Sequence, residues 1–133
     1  MELGLINKIT FKGALTYSQI PVQFYQAHIL LHTSLFESCG VVIQEAMASG
    51  VAVCSTSVGM LADIGTQFAM IVPPKDFLQL AKKIIELIQD QNTYHKITSE
   101  AYQWINKYDA AWAIENYRLF IDDLLTKAQS KNY

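Results

Sequence analysis

The chain has 133 residues, 51% of them hydrophobic and 17% charged, and its 10 basic and 12 acidic residues leave a formal net charge of −2. That balance excludes a disordered chain, which needs low hydrophobicity and a large charge imbalance. No apolar run reaches the ~18 residues of a membrane span, so any membrane contact is expected to be peripheral. Met1-Glu2-Leu3-Gly4-Leu5 lacks a signal peptide's basic start and long apolar stretch. Cys39 and Cys54 match no metal-ligand spacing and are too few for a disulfide framework. A reducing, cytoplasmic setting is expected, and residues 1–133 should form one domain, because a chain this long supports a single core.

The charges are unevenly placed. Between Lys12 and Lys75 there is no Lys or Arg, and the only acids are Glu37, Glu45 and Asp63. From Asp76 onward charges are frequent and interspersed. The first half therefore reads as buried α/β core and the second as amphipathic helices with one wet face. Nucleic acid is not expected as a partner, since phosphate binding needs a basic patch and the only arginine is Arg118.

In chain order, Ile9-Thr10-Phe11-Lys12-Gly13 predicts a short strand closed by a glycine turn. Tyr17 to Gln26 predicts a helix, with Ser18 as N-cap and Ile20-Pro21 in its first turn. Ile29-Leu30-Leu31-His32 reads as a strand buried on both faces. Val41 to Ser49 carries helix formers and stops at Gly50, a good residue to end a helix. Val51-Ala52-Val53-Cys54 and Ala69-Met70-Ile71-Val72 are further buried strands, the last stopped by Pro73-Pro74. Alternating strands and helices at this pitch mean βαβ crossovers and a parallel sheet of about four strands, an α/β fold.

Asp76 should cap a helix whose apolar stripe is Phe77, Leu80, Ala81, Ile84, Ile85 and Ile88. Thr93 to Lys107 predicts a second helix. Asp109 opens a third, with Ala113, Tyr117, Phe120, Ile121, Leu124 and Leu125 on one stripe. The aromatic residues of these two helices stand at core spacing, and Lys127 to Tyr133 reads as a frayed tail.

In open parallel sheets, ligands bind outside the carboxyl ends of the strands, where helix N-termini present free N–H groups. The connections Thr33 to Gly40, Ser55 to Gly59 and Pro73 to Asp76 qualify. Glu37 precedes the helix that opens near Gly40, and Glu45 lies about one turn inside it, so both carboxylates could point into one crevice. Gly40 would admit a ligand close to the backbone, and the amides after it favour an anion. On spacing alone, Glu37 reads equally as a capping carboxylate and Glu45 as a solvated helix residue. Asp63 fits a turn or cap. His28 and His32 read as packed or surface histidines, and Cys39 as a small buried hydrophobe. No Ser/His/Asp constellation, phosphate-loop motif or dinucleotide glycine fingerprint is present.

The run from Ser34 to Val53, with Glu37-Ser38-Cys39-Gly40 leading to Gln44-Glu45-Ala46-Met47-Ala48-Ser49-Gly50, closely resembles the signature of retaining glycosyltransferases of the GT-B fold (family 4, "group 1"). Its centre is the E-x7-E pattern, Glu37 to Glu45. Ile9 to Gly13, Tyr25 to Ser34, Val58-Gly59, the Val72-Pro73-Pro74-Lys75-Asp76 turn and Trp112 extend the similarity over nearly the whole chain. The resemblance implies the back part of a Rossmann-like C-terminal domain that binds a nucleotide-diphosphate sugar as donor substrate, with no cofactor and no bound metal. Glu37 would contact the donor sugar as the catalytic carboxylate and Glu45 the ribose hydroxyls. The amides around Gly40, Val41 and Val42 would approach the diphosphate, with Gly59 and Met60 in the sugar pocket. A non-catalytic interaction module derived from the same fold is the alternative.

This sequence departs from the family pattern in three places. The usual G-G-x-x-E loop reads Gly59-Met60-Leu61-Ala62-Asp63, the usual Pro-Ser after the strand reads His32-Thr33, and the glycine before the last strand is Ala69. The resemblance also places an Arg and a Lys of an earlier βαβ portion on the donor diphosphate, and this chain begins at the third strand. Alone it is expected to be inactive as a transferase, with a missing N-terminal half or second chain as its partner. In the strand order 3-2-1-4-5-6 the segment Ile9–Lys12 would lie two strands away from Ile29–His32. It must then pair elsewhere, fray or find another chain, and exposed sheet edges leave homo-oligomers open.

Overall fold

The computed structural model describes residues 4–129. Met1 to Leu3, which carry most of the signal-peptide reading, and the end of the tail beyond Gln129 lie outside the described residues. Three parallel strands, β1 (Ile29–His32), β2 (Ala52–Thr56) and β3 (Met70–Val72), form one sheet in the order β1-β2-β3. Leu30 stands opposite Val53, His32 opposite Ser55 and Thr56 opposite Val72. Six helices surround them: α1 (Ile20–Gln26), α2 (Val41–Ala48), α3 (Met60–Ile64), α4 (Phe77–Gln89), α5 (Gln91–Lys107) and α6 (Ala110–Gln129).

β2 is buried along its whole length, and its side chains divide by the period of two between the faces of the sheet. Val53 joins Ile43, Met47, Leu61 and Phe68 on the side covered by α1, α2 and α3. Ala52 and Cys54 join Met70, Val72, Leu80 and Leu87 on the side covered by α4. α5 serves both clusters, Ile97 packing with the α4 side and Ala101 and Trp104 with the α2 side. The result is an α/β/α sandwich, as the crossover pattern requires.

Local signals set many of the ends. The Asp76 carboxylate accepts the Gln79 N–H at 2.9 Å to start α4, and Asp109 accepts the Trp112 N–H at 2.8 Å to start α6. α2 ends in a Schellman arrangement, with the Gly50 N–H on Met47 O at 3.1 Å and the Val51 N–H on Ala46 O at 2.9 Å. The φ of +71° at Gly50 is what permits that reversal.

Several expectations need correction, among them the burial of β1 on both faces, since Leu31 is 50% exposed. Residues 9–13 form no strand, so the sheet has three strands rather than about four, and Phe11 is 92% exposed. A strand needs a neighbour for its N–H and C=O groups, and no described strand lies beside this segment. Thr16, not Ser18, begins the first helical turn, its N–H donating to Gln19 Oε1 at 2.9 Å. On α4 the buried stripe is Leu80, Ile84 and Leu87; Leu87 is 0% exposed, whereas Ile88 is 60% and Phe77 75% exposed. α5 starts at Gln91, because Asp90 caps it by accepting the N–H groups of Asn92 and Thr93. The aromatic residues Tyr117 and Phe120 of α6 are exposed, and the helix continues through Lys127 to Gln129 where a frayed tail was expected.

Candidate functional site

The site forms where β1 and β2 end. β1 delivers His32 at its carboxyl end, and the chain loops through Glu37 to Gly40 before entering α2. Gly40 has φ +79° and sits against Ile43 and Glu37: a Cβ there would lie 2.8 Å from Ile43 Cδ1 and 3.4 Å from Glu37 Cγ. That conformation and crowding suit glycine alone, and they bring the loop down onto the helix entrance. No side chain caps α2. Its first amides inside the helix that find an intrahelical acceptor are those of Ile43 and Gln44, both on Gly40 O. The N–H groups of Val41 and Val42 precede that bonding, as the orphan donors of any helix start do, and both residues are exposed.

β2 delivers the second loop. After Thr56 the chain reaches Gly59, where φ is +56° and ψ −143°. A Cβ at Gly59 would meet Ser38 O at 3.1 Å, Glu37 Cγ at 3.2 Å and Glu37 Cβ at 3.3 Å. The two loops therefore touch backbone to side chain, with Glu37 wedged between Gly40 and Gly59. Thr56 ties them further by donating its hydroxyl to Ser34 O at 2.6 Å. Met60, which follows, faces the Gln44 amide at 3.6 Å, and the same amide lies 3.0 Å from Cys39 Sγ.

Glu37 is held at both oxygens. Oε1 accepts the Ser38 N–H at 3.1 Å, and Oε2 lies 3.6 Å from His32 Nε2. Its side chain is 30% exposed, so part of the carboxylate reaches the surface. Glu45 stands apart. It lines a cavity of about 200 Å³ with Tyr17, Ile20, Pro21 and Phe24 on one side and Ala48 and Ser49 on the other. The structure thus brings Glu37, Gly40, Gly59 and, through Gln44, Met60 together, and it gives Glu45 a neighbouring cavity that Glu37 does not line.

Two other sequence-level candidates fall away from the site. Asp63 is exposed on α3, and His28 is exposed before β1. Cys39 is exposed rather than buried, while Cys54 is buried in the sheet. Burial pushes the Cys54 thiol up to about 11, against a smaller opposing effect of the Lys83 charge, so it is protonated at neutral pH. Among the described residues no three His, Cys, Asp or Glu side chains group closely enough to hold a metal ion. No described helix is long and apolar enough to cross a membrane.

Sequence reasoning did not foresee His32, Ser55 and Gln44 at the site. The signal in the sequence is positional and covers His32 alone, which ends an apolar strand at its carboxyl end; Ser55 comes opposite it only through the strand register.

Residues 1–104 match the model of the family described as glycosyl transferases group 1. The chain belongs to that family. It is 29% identical to the phosphatidylinositol N-acetylglucosaminyltransferase gpi3 subunit of Schizosaccharomyces pombe, over 86% of this chain and 28% of that protein. Among solved structures, it superposes on the C-terminal domain of the glycosyl transferase group 1 family protein LpcC from Francisella tularensis with a TM-score of 0.71 and 31% identity. That match covers 78% of this chain and 55% of the other. Anabaena Alr3699/HepE, solved in complex with UDP-glucose, matches with a TM-score of 0.80 and 25% identity over 91% of this chain and 34% of that one. This group 1 glycosyltransferase chain thus has the GT-B C-terminal domain fold and spans less than two-thirds of the relatives it matches.

Proposed function

We propose that this chain is the donor-binding portion of a retaining glycosyltransferase that moves a sugar from a nucleotide diphosphate to a glycan or lipid-linked acceptor. The reading is carried by one observation: a family carboxylate, Glu37, packed between two glycines beside the uncapped start of α2. In this assignment Glu37 accepts hydrogen bonds from donor-sugar hydroxyls, which suit a carboxylate because each oxygen offers two lone pairs. The amides of Val41 and Val42, at the positive end of the α2 dipole, receive the diphosphate, with Gly40 allowing close approach. Glu45 takes the ribose hydroxyls, and the apolar wall of Tyr17, Ile20 and Pro21 beside it accepts the base. Gly59 and Met60 border the sugar. Substitution at the anomeric carbon, with the leaving diphosphate stabilised by helix amides and by cations from outside this chain, belongs to the longer enzyme. The likeness to a protein solved with UDP-glucose supports a uridine nucleotide as the first ligand to try.

Calorimetric titration of the chain with UDP-glucose tests this. Binding is expected, and Glu45→Ala should weaken it ten- to a hundred-fold, the range of charge-assisted hydrogen bonds of about 1.5–3 kcal/mol. Binding that is absent, or indifferent to Glu45, refutes the assignment. A second reading, a non-catalytic interaction module, is favoured by α6, whose Ile114, Tyr117, Phe120 and Leu124 are all exposed along one stripe. It expects no donor binding but a protein partner on that stripe.

A further inference from the structure

A buried imidazole lies directly behind Glu37. His32 is 9% exposed, its Nδ1 is 3.0 Å from Ser55 Oγ, and its Nε2 is 3.6 Å from Glu37 Oε2. Ser55 is fully buried on the central strand, and its hydroxyl also lies 2.9 Å from Thr56 O. Among the described residues, Glu37 is the acid within ion-pair reach of the ring. Between Lys12 and Lys75 the chain has no Lys or Arg, so His28 and His32 are the only side chains of that stretch able to carry positive charge.

The hydrogen-bond inventory limits how the ring can be protonated. A hydroxyl has one proton and two lone pairs. When Ser55 donates to Thr56 O, it can only accept at Nδ1, which then carries hydrogen. When Ser55 turns its proton to Nδ1, that nitrogen is an acceptor and the ring hydrogen must sit on Nε2. A neutral ring with hydrogen on Nδ1 alone would set the Nε2 lone pair against the Glu37 carboxylate, an unfavourable contact in a poorly solvated place. Every arrangement that satisfies both ends of the ring against a Glu37 carboxylate therefore puts an Nε2–H toward it: the neutral ring with Ser55 donating to it, or the charged ring with Ser55 donating to Thr56.

We propose that His32 is a positioning residue for Glu37, presenting Nε2–H to Oε2 while Ser55 adjusts its hydroxyl to keep that hydrogen there in either charge state of the ring. This rests on the reading of Glu37 as the donor-sugar contact. The 3.6 Å separation is an electrostatic contact rather than a hydrogen bond, and a small swing of the carboxylate closes it when ligand fills the site. With Oε1 on the Ser38 amide and Oε2 on His32, each oxygen keeps a second lone pair for a sugar hydroxyl.

Two measurements on the full chain decide it. Long-range 1H–15N NMR correlations at neutral pH should show His32 Nε2 with the shift of a protonated ring nitrogen; an unprotonated Nε2 overturns the proposal without reference to any ligand. In calorimetry, His32→Leu should weaken UDP-glucose binding about ten-fold and leave UDP binding unchanged. His32→Gln, which keeps an amide donor, should recover most of the loss. An equal loss for UDP and UDP-glucose means that His32 only supports the fold, and overturns it. If the wild-type chain binds neither ligand, the donor assignment falls, and the NMR result alone decides whether His32 holds Glu37.

Discussion

Gly59 offers the sharpest test of how the two loops hold Glu37, because the same chain contains its own control. Gly59 and Gly65 flank α3 and have similar backbone angles, φ +56° and ψ −143° against φ +77° and ψ −170°. An alanine at either position is forced into a region that side chains avoid, at a cost of about 1–3 kcal/mol. Either substitution also removes the same freedom from the unfolded chain, so that contribution cancels between them. They differ in space. A Cβ at Gly65 meets nothing within 4 Å, whereas one at Gly59 meets Ser38 O at 3.1 Å and Glu37 Cγ at 3.2 Å. The backbone carbonyl cannot simply turn aside, so overpacking adds about 1–3 kcal/mol at Gly59 alone. Urea unfolding should therefore place Gly59→Ala below Gly65→Ala by about that difference. The Ser38 amide donates to Glu37 Oε1, so its NMR resonance should move in Gly59→Ala and stay put in Gly65→Ala. Equal destabilisation by the two variants, with the Ser38 signal unmoved in both, would refute the claim that Gly59 braces Glu37.

Further outcomes follow from the packing and the charges. Leu87→Ala should cost about 3 kcal/mol from lost transfer energy and a residual cavity, with Ile88→Ala well under 1; comparable melting curves would mean that α4 is rotated from the orientation described. Alkylation at neutral pH should label the exposed Cys39 and spare Cys54, whose thiol burial pushes to about 11, until urea exposes both; mass spectrometry of the two peptides checks this. The Asp90 carboxyl is held below the ordinary carboxylate range, first by the Thr93 hydroxyl and then by the Thr93 and Asn92 amides. Its contribution is complete above the unfolded-state value and fades as pH falls through the lower folded value. Asp90→Asn should therefore flatten the acid side of the melting-temperature profile, and an unchanged profile would count against the cap.

Much of the architecture is written locally. Apolar runs bounded by polar residues mark β1, β2 and β3, and β2, buried on both faces, has no polar side to show. Asp76, Asp109 and Gly50 mark helix ends, because a carboxylate can meet free N–H groups and a glycine can reverse the chain wherever they stand. The Glu37–Glu45 spacing, set in its run of family residues, likewise points to the group 1 glycosyltransferases by itself. Features that need a distant partner were decided by tertiary structure. Ile9 to Gly13 has the composition of a strand and finds no neighbour to bond among the described residues. On α4, Leu80, Ile84 and Leu87 compete with Ala81, Ile85 and Ile88 as equally apolar stripes, and only the position of the sheet chooses between them. His32, Glu37 and Ser55 meet because parallel pairing registers β1 beside β2, a relation between segments 23 residues apart that no local pattern of side chains encodes.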